Sequence, residues 1–218
     1  MKTKFILMTS LLLSVQIVFG QDFSKDIAEL NYSYLKLNRK MTVNSSIVKF
    51  DGTTSSTSMV TYMRGIDDFY MIGGSSEILV QNSIKVAVNH DLKIVMIDSN
   101  KKDSKEDLPM SMFEALPQFY AQIKHRTNSQ GDTYYLEPKV GNTKSIELSF
   151  SRQTMLFSKV SVTVFDNRTQ QNYTATNIYS YTPINAGDIP PINKYFNVTT
   201  HKLQGKFASY KLVNYLEN

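Results

Sequence analysis

Hydrophobic residues follow two different periods along the first hundred positions. Over residues 22–40 an apolar residue recurs every three or four positions, which predicts one amphipathic helix. From position 41 to 97 the period becomes two, and short runs rich in Val, Ile, Thr and Tyr are separated by turn sequences such as Asp51-Gly52 and Gly73-Gly74. Consecutive short strands with tight turns favour an antiparallel meander.

The helical period returns once before more strands follow. Residues 98–107 are polar and charged and predict a loop, whereas residues 109–124 place Met112, Leu116 and Phe119 on one helical face. Pro117 lies inside this segment and should kink or split the helix, and a split apolar helix would suit a lid. Further strands are predicted at 133–139, 145–151, 155–165 and 172–181, with two last strands at 195–200 and 207–213.

The N-terminus has the features of an export signal. Basic residues among the first four precede an apolar run over 5–19, and Gly20 closes it. The alternative is an uncleaved anchor, but the run is shorter than the roughly twenty residues that a spanning helix needs. We therefore expect a secretory signal peptide over residues 1–20 and a single α+β domain over residues 21–218, without a lipid anchor because the chain has no Cys.

Composition excludes several kinds of chemistry. The absence of Cys removes disulfides, thiolate metal sites and Cys nucleophiles. Loss of Lys2 and Lys4 with the signal lowers the net charge from +5 to +3, and the basic residues are scattered, so nucleic-acid binding is not expected. The three His residues stand apart from one another, which disfavours a metal site or a catalytic set, and we expect neither a cofactor nor an enzyme.

Several strand motifs occur in a characteristic order. They are Tyr62-Met63-Arg64-Gly65, Phe69-Tyr70-Met71, the run from Glu77 to Ser83, the run from Tyr134 to Lys139, and the run from Tyr181 to Asn185. In this order the chain resembles the LolA family of periplasmic lipoprotein carriers. The resemblance implies an incomplete antiparallel β half-barrel whose concave face is covered by helices. It also implies a periplasmic carrier that takes lipoproteins from an inner-membrane ABC transporter to an outer-membrane acceptor, and we expect a monomer.

The resemblance and the strand alternation together suggest where a ligand would bind. In the family, the Arg that matches Arg64 reaches into the cavity and bonds to the lid; the alternative for Arg64 is a strand-end side chain in solvent. Phe69 matches an aromatic residue of the family's cavity, and the alternative for Phe69 is plain core packing. Alternation places Val60 and Tyr62 on the face of Arg64. Met residues would suit exchangeable acyl chains, although ordinary core packing accounts for them as well. The predicted ligand-binding residues are Val60, Tyr62, Arg64, Phe69, Met71, Met112, Phe113, Leu116, Phe119 and Tyr120.

Two other functions stay open. The chain has no Trp and has Gly65 where the family usually has Pro, so the same fold could bind another amphiphile, such as a glycolipid, a pigment precursor or a peptide. Alternatively the concave face could be filled by the chain's own side chains, as in an interaction protein.

Overall fold

The computed structural model describes residues 22–65, 67–99 and 114–216. The expected signal peptide and the proposed lid residues Met112 and Phe113 lie outside the described residues, as does most of the charged loop predicted at 98–107. The first helix, α1, covers residues 22–35. It is shorter than the predicted 22–40, because strand pairing has taken over by Asn38.

The strands of the described chain confirm the switch to a period of two. In chain order they are β1 (Asn38–Val48), β2 (Thr54–Arg64), β3 (Phe69–Gly73), β4 (Ser76–Gln81), β5 (Ile84–Asn89), β6 (Ile94–Ser99), β7 (Tyr120–Asn128), β8 (Gly131–Pro138), β9 (Thr143–Ser151), β10 (Leu156–Asp166), β11 (Gln171–Thr182), β12 (Phe196–Asn197), β13 (Lys202–Leu203) and β14 (Lys211–Asn214). Three 3-10 helices accompany them: η1 (Leu116–Phe119), η2 (Ile192–Lys194) and η3 (Gly205–Ser209).

The described residues fall into two compact units. The first unit contains residues 22–33, 46–55 and 114–178, and its strands are ordered β11-β10-β9-β8-β7. The second unit contains residues 34–45, 56–99 and 179–216, and its strands are ordered β14-β6-β5-β4-β3-β2-β1. Neighbouring strands from β2 to β6 pair antiparallel, which confirms the predicted meander.

An α+β chain dominated by antiparallel strands is thus present. The finer expectation, a half-barrel whose concave face is covered by helices, stays a prediction.

The helix predicted over 109–124 is wrong over residues 120–124. Within the described residues Glu114 is α-helical, Leu116–Phe119 forms the short 3-10 helix η1, and Tyr120 already begins β7. Pro117 lies in the first turn of η1, and β7 pairs with β8 from Tyr120 opposite Pro138 to Asn128 opposite Gly131, with one register shift between Tyr120 and Gln122. Backbone pairing with a neighbouring strand therefore outweighed the helical spacing of the apolar residues.

The two final strands are also only partly correct. The expected strand at 195–200 is reduced to β12, two residues paired with β13. Over 207–213, Phe207 belongs to η3 and only Lys211–Asn214 forms a strand, which pairs parallel with β6 from Lys211 opposite Ile94 to Asn214 opposite Ile97.

The core of the first unit lies between α1 and one face of its sheet. Phe23 and Leu30 of α1 are each 1% exposed and pack with Tyr134, Leu136 and Phe150 of β8 and β9. The ring of Phe23 meets that of Tyr134 edge to face, with 5.0 Å between their centroids. The apolar stripe predicted for the first helix is therefore the stripe that it buries.

The core of the second unit lies between its sheet and the residues that follow β11. Tyr70, Leu79, Val86, Val88, Val95 and Ile97 supply the sheet side, and they pack against Ile189, Ile192, Tyr195, Phe196 and Phe207. We call residues 183–210 the C-terminal segment. Its apolar side chains fill one face of the second unit's sheet.

Candidate functional site

Five predicted ligand-binding residues lie on β2 and β3, on two different faces of the second unit's sheet. Tyr62 is directly opposite Tyr70, whereas Phe69 is opposite Met63 and Met71 is opposite Thr61. Directly paired side chains share a face and neighbours along a strand alternate. Val60 and Tyr62 therefore share the face of Tyr70, and Phe69 and Met71 belong to the other face.

The face that carries Tyr62 is the one filled by the C-terminal segment. Tyr62 packs against that core and stacks on Tyr70, with 6.0 Å between the ring centroids. The C-terminal segment itself contributes Tyr195 and Phe196, which have no exposed surface. Any ligand bound to Tyr62 would have to displace part of this segment.

Arg64 lies at the end of β2 beside a surface pocket. Its side chain is 42% exposed, its Nη2 donates to the carbonyl of Asn185 over 3.4 Å, and its Nη1 is 3.9 Å from an oxygen of Asp68. The neighbouring Gly65 has φ of +76°, which proline cannot adopt, so the local backbone itself excludes the family's usual Pro. The pocket has a volume of about 450 Å³ and is lined by Lys36, Asn38, Arg64, Gly65, Ile184, Asn185 and Ala186.

The remaining predicted site residues that the structure describes lie in the first unit. Leu116 and Tyr120 pack against the core under α1, and the ring of Tyr120 meets that of Phe23 edge to face at 5.8 Å. Phe119 instead is 57% exposed. Burial raises the pKa of Tyr120, as expected for a phenol packed against apolar side chains.

The sequence did not single out an apolar surface on β9 and β10. Val160 lies opposite Leu148, and Val162 opposite Ile146, so these four share the face on which α1 packs. All four are half-buried. We call them the valine strip. Its signal was visible in the alternation of Val and polar residues in β10, but the family resemblance drew attention to β2 and β3 instead.

The opposite face of the same strands is polar. It forms a groove of about 550 Å³, and the lining residues that belong to this face are Gln122, Lys124, Arg126, Tyr135, Glu137, Ser145, Glu147, Ser161 and Thr163. Lys159 donates to both carboxylate oxygens of Glu147, over 3.1 and 2.9 Å. The first unit's sheet is therefore amphipathic, with an apolar face under α1 and a polar face behind it.

A buried carboxylate ties the C-terminal segment to the second unit's sheet. Glu77 of β4 accepts hydrogen bonds from the hydroxyls of Tyr70 and Tyr195, each over 2.6 Å, and its other oxygen lies 2.7 Å from Nε2 of His90. Burial alone would raise the pKa of Glu77, but the bonds from Tyr195, Tyr70 and His90 outweigh it and hold that pKa at about 2. Burial and the bond to Glu77 raise the pKa of Tyr195.

A second buried carboxylate organises the first unit. Asp132 accepts from Nε2 of His125 over 2.8 Å and from the hydroxyl of Thr127 over 2.6 Å, and it pairs with Arg152. Burial opposes ionisation, yet the hydrogen bonds led by Arg152 keep the pKa of Asp132 below its ordinary value. Neither carboxylate belongs to a group of three or more metal-ligating side chains, and the described residues contain no such group.

Comparison with known proteins gives matches only at the level of structure. No family model matches the chain, and no curated protein does either. Within the described part of the chain, no helix combines the length and the apolar character needed to cross a membrane.

The matched structures include three of particular interest. The complex of MucA and MucB from Pseudomonas aeruginosa matches with 11% identity and a TM-score of 0.48, over 78% of this chain and 61% of that one, so the chain spans less than two thirds of that protein. A LolA superfamily protein from Nitrosomonas europaea matches with 8% identity and a TM-score of 0.34, over 78% of this chain and 95% of the other. An outer membrane lipoprotein-sorting protein domain from Vibrio parahaemolyticus matches with 11% identity and a TM-score of 0.32, over 78% and 97%.

A LolA superfamily protein and a lipoprotein-sorting domain are thus among the structural matches. Likeness of this degree carries no argument about function.

Proposed function

We propose that the protein is an exported carrier that binds the acyl chains of lipoproteins on the apolar face of its first unit. The observation that supports this proposal is the valine strip. α1 covers Tyr134, Leu136 and Phe150 on this face, while Val160 and Val162 beside them remain half-buried. A half-buried apolar strip beside an amphipathic helix gives an acyl chain a surface to bind and a helix edge to bind against.

The energetics favour such a site for acyl chains. Each methylene removed from water contributes roughly 0.8 kcal/mol, so micromolar binding, about 8 kcal/mol, requires burial of on the order of ten methylenes before the costs of association are added, which is within the length of an acyl chain. The strip has no charged side chain among its four members. The work is binding rather than catalysis, since the two buried carboxylates that the structure shows are already saturated with internal hydrogen bonds.

The cargo and its route complete the proposal. Acylated lipoproteins would be received at the inner membrane from an ABC transporter and released to an acceptor at the outer membrane, and the carrier would act as a periplasmic monomer. Arg64, Phe69 and Met71 remain proposed contributors to cargo retention in the second unit, together with Val60 and Tyr62. Because the C-terminal segment fills the face of Tyr62, the valine strip is the first place where we expect an acyl chain.

A second function is favoured by one specific observation. One face of the second unit's sheet is filled by Ile189, Ile192 and Tyr195 of the chain itself, which suits a protein that interacts through its surface rather than through a cavity.

The binding of another amphiphile is a third candidate function. The pocket beside Arg64 is also lined by Lys36 and would suit a small anionic amphiphile.

Native mass spectrometry of the protein purified without detergent from its own periplasm separates these functions. Added mass that resolves on extraction into acylated peptide is the expected result for a lipoprotein carrier. If the added mass proves to be another lipid, the proposed cargo changes from lipoprotein to that lipid, and the proposed binding site stays the same. A bare mass, combined with no binding of a fluorescent acyl probe, would overturn the carrier proposal and favour the interaction protein.

A further inference from the structure

Three chain segments meet at one end of the first unit's sheet. Tyr120 of β7 pairs with Pro138 of β8, and Asp166 of β10 pairs with Gln171 of β11, so η1, the β8–β9 turn and the β10–β11 turn all lie at this end. The turns are joined by hydrogen bonds, since the backbone N–H of Phe165 donates to the carbonyl of Asn142 over 2.8 Å. We use the name turn surface for five exposed residues at this end of the sheet, namely Phe119, Lys139, Val140, Lys144 and Arg168.

Two apolar side chains of the turn surface project into water. Phe119 is 57% exposed and Val140 is 81% exposed. The segments that carry them are neighbours, because the backbone N–H of Lys139, the residue before Val140, donates to the carbonyl of Phe119 over 3.0 Å. Single exposed apolar residues are common, but two exposed apolar side chains on neighbouring ordered segments make this end of the sheet suited to contact with another apolar phase.

Basic side chains occur at the same end of the sheet. Lys139, Lys144 and Arg168 are all exposed, and the ammonium of Lys144 lies 5.2 Å above the ring of Phe165. The acidic side chain in the two turns is Asp166, and its carboxylate accepts the backbone N–H of Arg168 over 2.8 Å. Glu137 lies just inside the sheet, on the polar groove. The tips of the turns therefore combine positive charge with exposed apolar area.

We propose that the turn surface docks on the surface of a membrane rich in anionic lipid. Phe119 and Val140 enter the interface between head groups and acyl chains, and Lys139, Lys144 and Arg168 lie at the level of the lipid phosphates. The charge complementarity favours anionic lipid over a protein partner, because exposed apolar side chains and exposed basic side chains occur together at this end of the sheet. This contact does not depend on the valine strip or on the nature of the cargo.

The absence of Trp from the chain provides a direct test. Val140→Trp introduces a single fluorophore at the turn surface, and Leu92→Trp introduces one at a comparably exposed apolar position, 67% exposed, in the β5–β6 turn of the second unit. Each full-length mature variant is mixed with vesicles of phosphatidylglycerol or of phosphatidylcholine, with and without bromine on the acyl chains. Phe119→Trp serves as a second probe if Val140→Trp folds poorly.

The expected result is selective for position and for lipid charge. The Trp emission of Val140→Trp should shift to the blue and be quenched by brominated phosphatidylglycerol, and the emission of Leu92→Trp should not. Lys139→Gln and Lys144→Gln, added to Val140→Trp, should each weaken binding about fivefold, the effect expected of one basic residue near an anionic surface. No shift in Val140→Trp or Phe119→Trp, equal quenching in Leu92→Trp, or equal binding to phosphatidylcholine would overturn the proposal. Variants of the valine strip should leave vesicle binding unchanged, so failure of the carrier function and failure of membrane docking are distinguishable.

Discussion

Val162 and Thr163 are neighbours on β10 whose side chains point to opposite faces of the first unit's sheet. Val162 lies opposite Ile146 on the face under α1, whereas Thr163 lies opposite Ser145 on the polar groove. The hydroxyl of Thr163 is 3.1 Å from that of Thr174, so its polar atom is already satisfied within the sheet. The pair therefore offers two adjacent positions at which the same kind of substitution reports on two different surfaces.

The first prediction concerns the valine strip. Val160→Thr with Val162→Thr keeps side-chain shape and strand propensity but places two hydroxyls where an acyl chain would lie. Because an unpaired hydroxyl against an apolar surface costs on the order of 1–2 kcal/mol, binding of a fluorescent fatty-acid probe should weaken on the order of tenfold or more. Titration of the probe into the purified protein measures this.

The matched control is Thr163→Val on the opposite face. It makes the same exchange in reverse, breaks the bond to Thr174 and should leave probe affinity within twofold, roughly the scatter expected of a position that does not touch the ligand. If the two Val→Thr changes and the Thr→Val change alter affinity equally, the acyl chain does not lie on the valine strip.

The second prediction concerns Arg64. Arg64→Leu removes an exposed charge that bonds to the carbonyl of Asn185 and lies 3.9 Å from Asp68. The free energy of unfolding should change by less than about 1 kcal/mol, because exposed ion pairs contribute little. Cargo retention or transfer to an acceptor should change nonetheless, measured as lipoprotein released over time; Arg126→Leu, an exposed charge of the first unit, is the comparison. Wild-type retention and transfer in Arg64→Leu would end the proposed role of this residue.

Local signals and strand pairing together explain how far the sequence could predict the fold. Tight turns such as Gly73-Gly74 are encoded by a few residues, so the meander from β2 to β6 could be predicted from the local sequence. The strand β7 could not be predicted in this way. Leu116 and Ile123 have the spacing of a helix, and the chain forms a strand there because β7 pairs with β8. The expected single face of Arg64, Val60 and Tyr62 followed from alternation, but adding Phe69 and Met71 to the same site required a register that the sequence did not reveal.

The third prediction concerns a close backbone contact that the sequence did not show. Gly131 has φ of +143°, and a Cβ there would lie 2.1 Å from the carbonyl oxygen of Phe150. Gly131→Ala should therefore force β8 and β9 apart and lower the free energy of unfolding by more than about 3 kcal/mol, beyond the backbone strain alone.

Gly141→Ala isolates the backbone strain. Gly141 also has positive φ, +87°, but a Cβ there would have nothing within 4 Å. Its cost should be limited to roughly 1–2 kcal/mol, the usual penalty for a side chain in a left-handed conformation. Denaturant unfolding of both variants gives the comparison, and equal losses of stability would show that the approach of Phe150 to Gly131 is not what requires glycine.

The last prediction concerns pH and the bonds that hold the C-terminal segment. Glu77 has a pKa of about 2 in the folded chain against an ordinary value of 4.5, so its ionised form is stabilised by folding. A carboxylate whose pKa is lowered in this way contributes stability that is fully present above pH 4.5 and is lost as the pH falls towards 2. The size of the effect is at most about 3 kcal/mol, from 1.36 kcal/mol for each unit of pKa. Unfolding followed by near-ultraviolet circular dichroism, to which Tyr70 and Tyr195 contribute, should lose stability across this window.

Glu77→Gln keeps the size of the side chain but has no charge to lose. It should be less stable than the wild type near neutral pH, because the amide offers one oxygen acceptor where the carboxylate receives bonds from Tyr70, Tyr195 and His90. Below pH 4.5 the difference between the two proteins should shrink, since the wild type is then losing the same charge. Glu147→Gln is the control, because it removes a carboxylate that lies on the polar groove and bonds to the partly exposed Lys159, and the acid loss that depends on Glu77 should persist in this variant. A wild-type profile that stays parallel to that of Glu77→Gln between pH 5 and 2 (roughly the span of the two pKa values) would mean that Glu77 is not what fastens the C-terminal segment to β4.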